Sequence, residues 1–269
     1  AACGGGTGGR HEPLVRAKER LTPFFHEISA ACGGEKGGSF MKDLTLTQEY
    51  FICAVNDKGK LSSFNVDRLV CLLASGMLEL QLSGCISIDG GKKRILSGSG
   101  KSVSVTGPLP EEKAFLRPLY DYLNQGKPVK MEKILEDYHY SFSGRRLNAL
   151  IDSIGESLAE EGLAQAADAG LFEGVRRFLP TKDAINRVVD LVRSELLEEG
   201  EVTEDIAALV ILLEKSGVIR EYFSRYEQKE MKERLAAITK SPEGAMVKEM
   251  LDYVNSMLDT IAVLITVFS

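Results

Sequence analysis

Apolar residues at helical spacing dominate this chain from residue 45 onward and limit it to a mostly α-helical fold. Thr45 and Gln48 match a capping box, which satisfies unpaired N–H groups at a helix start, and an apolar face follows from Tyr50 to Val55. Further helices are predicted over residues 65–77, 111–124, 129–138, 144–161, 181–199, 203–215, 218–238 and 242–269. With no linker between them, these segments predict a single helical domain.

Two short β regions interrupt the helices. Residues 85–88 alternate between apolar and polar, Asp89-Gly90-Gly91 predicts a tight turn, and residues 94–97 form a return strand. Another strand is predicted over residues 102–105, and Gly170 to Leu179 suit a hairpin. The predicted fold class is therefore mostly α, as a single helical domain with a small β-hairpin region.

The first forty residues differ from the rest of the chain. They contain four glycine clusters and lack an apolar segment long enough for a signal peptide. Residues 37–41, Gly-Gly-Ser-Phe-Met, fit a purine-rich ribosome-binding site translated in frame. We therefore expect residues 1–40 to be a non-native leader, residues 41–269 to be the folded domain, and the source to be bacterial. A disordered arm with a basic face is the alternative for the leader.

Charge and composition argue against several classes of function. The net charge of −6 disfavours general nucleic-acid binding, which requires many phosphates to be neutralised, but a local basic patch can still bind a membrane. Five cysteines without a CxxC pair and three scattered histidines predict no metal site and no cofactor. The apolar run at residues 261–268, which Thr266 interrupts, is far short of the roughly 20 residues of a spanning helix, so any membrane contact is predicted to be peripheral.

Two local motifs invite a catalytic interpretation, and each has a simpler one. Residues 98–102, Gly-Ser-Gly-Lys-Ser, resemble the end of a phosphate-binding loop, but Ile95 replaces the required glycine and a strand follows instead of a helix. His139 has no partner that the sequence identifies, and acidic residues at helical spacing beside Lys and Arg are typical of solvated faces. We therefore predict no enzymatic activity.

Two arginine pairs are candidates for phosphate binding. Arg145-Arg146 opens a predicted helix, and Arg176-Arg177 precedes the apolar pair Phe178-Leu179 in the predicted hairpin. The planar guanidinium suits phosphate, and basic residues beside apolar ones are what an interfacial binder needs. Surface solubility is the alternative explanation for each pair.

Several blocks of the sequence resemble the Golgi phosphoprotein 3 family. They are Leu-Thr-Leu-Thr-Gln-Glu at 44–49, Gly-Met-Leu-Glu-Leu at 76–80, Leu-Ala-Glu-Glu-Gly-Leu at 158–163, and the ending at 261–268. Members of this family are non-enzymatic, mostly helical proteins that bind phosphatidylinositol 4-phosphate on membranes. The resemblance, over residues 43–268, implies that residues 163–180 form a hairpin for oligomerisation and membrane contact, with Leu171 and Phe172 near its tip.

The resemblance also implies where a lipid headgroup would bind. Eukaryotic members use a tryptophan and an arginine on one helix and two basic residues on another; the aligned positions here are Asn65, Ala74, Asn148 and Ile151. None matches, but Asn65 and Asn148 can hydrogen-bond phosphate, and Arg68 and Arg145 each lie one helical turn from a lost position. The predicted lipid contacts are Asn65, Arg68, Arg145, Arg146 and Asn148. The predicted membrane contacts of the hairpin are Leu171, Phe172, Arg176 and Arg177.

The function predicted from these residues is non-enzymatic binding to anionic phospholipid, phosphatidylinositol 4-phosphate by resemblance. The protein would then be cytoplasmic and peripherally membrane-associated, on the cytosolic face of the Golgi only in a eukaryote. The resemblance further implies protein tails and a homo-oligomer as partners, and no nucleic acid is expected. The alternative is a soluble protein-interaction scaffold that has kept the fold and lost the lipid site.

Overall fold

The first helix of the structure begins at the capping box of Thr45 and Gln48. The structure is a computed structural model, and it describes residues 43–61, 66–89, 101–139, 144–167, 176–200, 202–241 and 244–268. The predicted leader, residues 1–40, lies outside the described residues. The α-helices of the described part are α1 (Leu46–Ala54), α2 (Val66–Leu82), α3 (Arg117–Leu123), α4 (Met131–His139), α5 (Arg145–Glu160), α6 (Lys182–Leu196), α7 (Glu204–Lys215), α8 (Ile219–Tyr222), α9 (Arg225–Ile238) and α10 (Ala245–Phe268). A 3₁₀ helix, Glu111–Leu116, precedes α3.

Two small antiparallel sheets accompany the helices. The first has the order β1 (Ile86–Asp89), β2 (Ser102–Val105), β3 (Val129–Lys130), and its register places Val103 opposite Ile88 and Val129. The second pairs β4 (Ala164–Ala167) with β5 (Arg177–Pro180). The predicted fold class, mostly α with a small β region, is therefore confirmed. The predicted return strand at 94–97 lies outside the described residues.

Several element boundaries differ from the prediction, and two of these differences have a clear local cause. Residues 129–130, predicted as a helix start, form β3 because the free edge of β2 pairs with them. The predicted helix over 218–238 is divided into α8 and α9: Phe223 is extended, and Ser224 begins α9 with a capping box in which its hydroxyl accepts from the Glu227 N–H. That Ser-x-x-Glu signal was present in the sequence.

The core is built around three helices that are buried on nearly every side. Every residue of α1 is buried, as are residues 69–80 of α2 and residues 206–213 of α7, and these three helices contact one another. The carboxylate of Glu79 satisfies a buried backbone group here, because it accepts from the Thr47 N–H at 3.0 Å and from Lys113 Nζ at 3.0 Å. Outer helices such as α5 and α6 bury one face only.

A close contact between α5 and β5 positions the arginines considered below. Gly155 on α5 faces the fully buried ring of Phe178, and a Cβ at position 155 would lie 2.2 Å from that ring. On its other side, β5 approaches the loop after α1, where the Phe178 N–H donates to the Gly59 carbonyl oxygen at 3.3 Å. Gly59 has a φ of 71°, which favours glycine there. Helix α5, β5 and the end of α1 are thereby tied together.

Candidate functional site

The predicted lipid contact Arg68 lines a cavity of 560 Å³ at the start of α2. The cavity lies between the loop after α1, the end of β5, α6 and α8, and its other lining residues are Val55, Asn56, Asp57, Leu179, Pro180, Ile185, Glu221 and Tyr222. Two carboxylates, those of Asp57 and Glu221, therefore stand beside one guanidinium. This balance of charge does not favour an anion.

The Arg68 side chain is held by groups of the protein itself. Its Nη1 donates to the Ala54 carbonyl oxygen at 3.0 Å, its Nη2 pairs with the Glu221 carboxylate, and the side chain is only 11% exposed. The Tyr222 hydroxyl donates to the Cys53 carbonyl oxygen at 3.0 Å, beside the same helix end. A cation at the carbonyl end of a helix is favourable, so Arg68 and Tyr222 fasten α8 to the end of α1.

Arg145, Arg146 and Asn148 come together at the start of α5. Both arginines are exposed, and Asn148 is half-buried in the next turn. The residue before the helix is Gly144, which has a φ of 56° and no side chain to cap the first N–H groups. An uncapped helix start carries partial positive charge and N–H donors, so two guanidinium groups and the helix end share one sign here.

The Arg146 guanidinium lies over the face of Tyr122, 5.2 Å from the ring centroid. The nearby carboxylate of Asp137 is engaged elsewhere: it accepts from the Tyr122 hydroxyl at 2.9 Å and from Lys133 Nζ at 2.7 Å. Burial alone would raise the pKa of Asp137, but these two hydrogen bonds hold it below its ordinary value. Among the described residues, Arg146 has no ion-pair partner, and its charge is available to an anion in solution.

The hairpin arginines lie along the same helix. Arg176 pairs with the Glu156 carboxylate on α5, is half-exposed, and stands 5.5 Å from the centroid of the Phe178 ring. Arg177 is partly buried in β5, opposite Ala167. Asn65 and the hairpin-tip residues Leu171 and Phe172 lie outside the described residues.

The structure therefore separates the predicted contacts into two groups. Arg145, Arg146 and Asn148 share the start of α5, whereas the Arg68 cavity includes none of these three in its lining. Tyr122 and Lys133 complete the first group and were not identified from the sequence. Tyr122 lies on α3, and no local motif connects it to residue 146.

The described residues offer little to other kinds of site. In this part of the chain, no group of three or more His, Cys, Asp or Glu side chains is arranged to hold a metal ion. Cys53, Cys71 and Cys85 are buried and unpaired, and burial raises the pKa of the Cys71 thiol to about 12, which makes it a poor nucleophile. None of the described helices combines the length and apolar character that crossing a bilayer requires.

Comparison with known proteins identifies one family. The family model Golgi phosphoprotein 3 (GPP34) matches residues 46–254, from the first residue of α1 into α10. This span contains Arg68 and the arginines at the start of α5. No curated protein matches the chain.

Proposed function

The chain belongs to the Golgi phosphoprotein 3 family, and from this premise we propose that it is a non-enzymatic protein that binds anionic phospholipid at the start of α5. The observation that carries the proposal is the Arg146 guanidinium, which is exposed and without an ion-pair partner among the described residues, at a helix start where Gly144 provides no capping side chain and beside Arg145. The protein would attach to the cytoplasmic surface of a membrane from one side.

A headgroup phosphate at this position would receive several charge-assisted hydrogen bonds. Each guanidinium can donate two parallel N–H groups to phosphate oxygens, and the first N–H groups of α5 can add donors to the same anion. Tyr122 holds Arg146 in place through its ring, so less side-chain entropy is lost on binding. The half-buried amide of Asn148 lies one turn further along the helix and can add a donor.

Two adjacent guanidinium groups favour a headgroup with more than one phosphate. Phosphatidylinositol 4-phosphate carries a phosphomonoester in addition to the phosphodiester, and each phosphate would engage one arginine fork. The chain as a whole is acidic, with a net charge of −6, so an anionic bilayer repels it at long range. Membrane binding should therefore depend on the two arginines at the start of α5, and added salt should weaken it strongly by screening their exposed charges.

Vesicle co-sedimentation tests the proposal. Wild type should bind vesicles containing phosphatidylinositol 4-phosphate more tightly than vesicles of phosphatidylcholine alone. The double variant Arg145→Gln/Arg146→Gln should lose affinity by about 30-fold, since each arginine near an anionic surface contributes about 1 kcal/mol. The matched control is Arg220→Gln/Arg225→Gln, which removes the same charge from two exposed arginines on α8 and α9. Equal losses in both variants, or no lipid dependence in wild type, would contradict the proposal.

One observation favours the second candidate, a protein-interaction scaffold without a lipid site. Ala74, aligned with a headgroup-binding arginine of eukaryotic members, is fully buried in α2, so that position contacts the core and not a headgroup. If wild type shows no preference for anionic vesicles and instead retains one stoichiometric protein partner in a pull-down, the scaffold is the better description.

A further inference from the structure

A second cavity, of 310 Å³, lies between the end of α2, β1 and the first half of α10. Its walls are mainly apolar and come from all three elements, with Leu78 and Leu82 on α2, Ile88 on β1, and Met250 on α10. Leu82 is 41% exposed, so part of this apolar surface faces solvent. None of its lining residues belongs to the Arg68 cavity or to the start of α5.

Tyr253 lines this cavity and has an unsatisfied hydroxyl. The residue is 4% exposed, and its buried hydroxyl has no hydrogen-bond partner among the described residues. By contrast, three other buried tyrosines, Tyr50, Tyr120 and Tyr138, each donate to a backbone carbonyl oxygen. Burial raises the pKa of Tyr253, so it remains a neutral phenol that can donate a hydrogen bond. A buried hydroxyl without a partner is costly, and an acceptor supplied by a ligand would remove that cost.

A positive charge lies over the ring of this tyrosine. Lys101 Nζ lies 5.5 Å from the centroid of the Tyr253 ring, and the Lys101 backbone is fixed because its carbonyl oxygen accepts from the Met131 N–H at 2.8 Å. Lys101 is half-buried, and no described residue forms an ion pair with it. Lys248, Glu249 and Asp252 also line the cavity, but all three are exposed and lie in water.

We propose that this cavity binds a single-chain aliphatic carboxylate of about ten carbons. The carboxylate accepts the hydrogen bond of Tyr253 and forms an ion pair with Lys101, while the chain lies on Leu78, Ile88 and Met250. The chain length follows from the volume: at about 30 Å³ for each water-sized group, 310 Å³ holds about ten such groups. A two-chain phospholipid is much larger than this cavity, so the site is distinct from the headgroup site at α5.

Isothermal titration calorimetry with sodium decanoate, below its micelle concentration, tests this assignment. Decanoate should bind with a stoichiometry of one, and butanoate should bind more than about a thousandfold more weakly, because six methylenes worth about 0.8 kcal/mol each are missing. Decanol, which keeps the chain and loses the charge, should also bind more weakly than decanoate. Tyr253→Phe and Lys101→Gln should each raise the Kd by about fivefold to tenfold. Lys127→Gln, an exposed lysine outside the cavity, should leave the Kd unchanged.

The melting temperature of the Tyr253→Phe variant without ligand provides a control for folding. Because it removes an unsatisfied hydroxyl and keeps the ring, it should melt at the same temperature as the unliganded wild type or higher, so weaker binding would not reflect misfolding. Absence of saturable 1:1 binding, or equal Kd values for wild type and Tyr253→Phe, would overturn the assignment. The Arg145→Gln/Arg146→Gln variant should bind decanoate normally, which keeps the outcome separate from that of the vesicle experiment.

Discussion

Arg68 and Arg146 were both predicted to bind a lipid headgroup, and the structure places them in opposite surroundings. Arg68 is nearly buried between the Ala54 carbonyl oxygen and the Glu221 carboxylate, so its hydrogen-bonding capacity is directed inward. Arg146 is exposed and stacked on Tyr122, and the carboxylate of Asp137, on which its charge acts, is already bound by Lys133. The partners that distant segments bring to an arginine therefore decide whether it stabilises the fold or is available to a ligand.

The contrast has an electrostatic side as well. Around Arg68 the cavity carries more acid than base, and removing the arginine would leave Glu221 without its partner. At the start of α5 the helix end and both arginines share one sign, so an added anion is attracted, and removal of Arg146 leaves no ion-pair partner behind among the described residues. We expect substitutions in the first region to change stability and those in the second to change binding.

Gly155→Ala should cause the largest loss of stability, because it disrupts the contact between α5 and β5. The new Cβ would overlap the buried Phe178 ring, which cannot move without displacing β5. We expect the free energy of unfolding to fall by about 3 kcal/mol, measured by urea denaturation. Phe178→Leu in the same chain makes room for the methyl group, so the double variant should be more stable than the sum of the two single changes predicts. Strict additivity would show that the two side chains do not interact.

Arg68→Met should lower the free energy of unfolding by about 2 kcal/mol, because it removes a charged hydrogen bond to the end of α1 and the partner of Glu221. Folded Arg68→Met protein should still bind anionic vesicles as wild type does. The control is Arg225→Met, an exposed arginine that should change stability by less than about 0.5 kcal/mol. If Arg68→Met kept full stability and lost vesicle binding, the roles assigned to the two regions would have to be exchanged.

The variant Glu49→Gln tests the electrostatic difference between the two regions. The buried carboxyl of Glu49 in α1 should be neutral, whereas the carboxylate of Asp137, near the start of α5, is charged. Burial, chiefly, raises the pKa of Glu49 to about 8; the charges that act on it are Asp205, Arg187, Glu195 and Glu79. The folded state therefore binds a proton that the unfolded state releases near pH 4.5. The contribution of Glu49 to stability is thus greatest below pH 4.5 and is lost as the pH rises to about 8.

The Gln variant cannot ionise and should lose this part of the pH dependence. At pH 9 we expect it to be more stable than wild type by about 4 to 5 kcal/mol, as a pKa rise from 4.5 to about 8 implies, and at pH 4 the two should be nearly equal. Denaturant titrations at both values measure the difference. If the difference in stability between wild type and Glu49→Gln were the same at pH 4 and pH 9, Glu49 would be ionised in the core and the expectation would be wrong.

Local signals predicted much of the fold and only part of the candidate site. Thr45 with Gln48 marked a helix start correctly because capping is a contact within four residues, and Ser224 with Glu227 carried the same kind of signal for the α8–α9 division. The pairing of β3 with β2 depends on residues about 27 positions apart, roughly the separation of Val103 and Val129, and had no local signal. Likewise, adjacent arginines could be noticed in the sequence, but the ring under Arg146 and the acid beside Arg68 come from other elements.

Arg146→Lys should have the smallest effect and tests how the start of α5 recognises a headgroup. Lysine keeps the charge but loses the planar fork and much of the stacking on Tyr122. We expect affinity for vesicles with phosphatidylinositol 4-phosphate to fall roughly threefold, and affinity for phosphatidylserine vesicles to stay the same, since a diffuse surface charge senses only the cation. Co-sedimentation at two ionic strengths, with Arg225→Lys as the matched control, measures both. Equal weakening on the two kinds of vesicle would mean that Arg146 acts through general packing of the helix end, and the contrast with Arg68 would then rest on exposure alone.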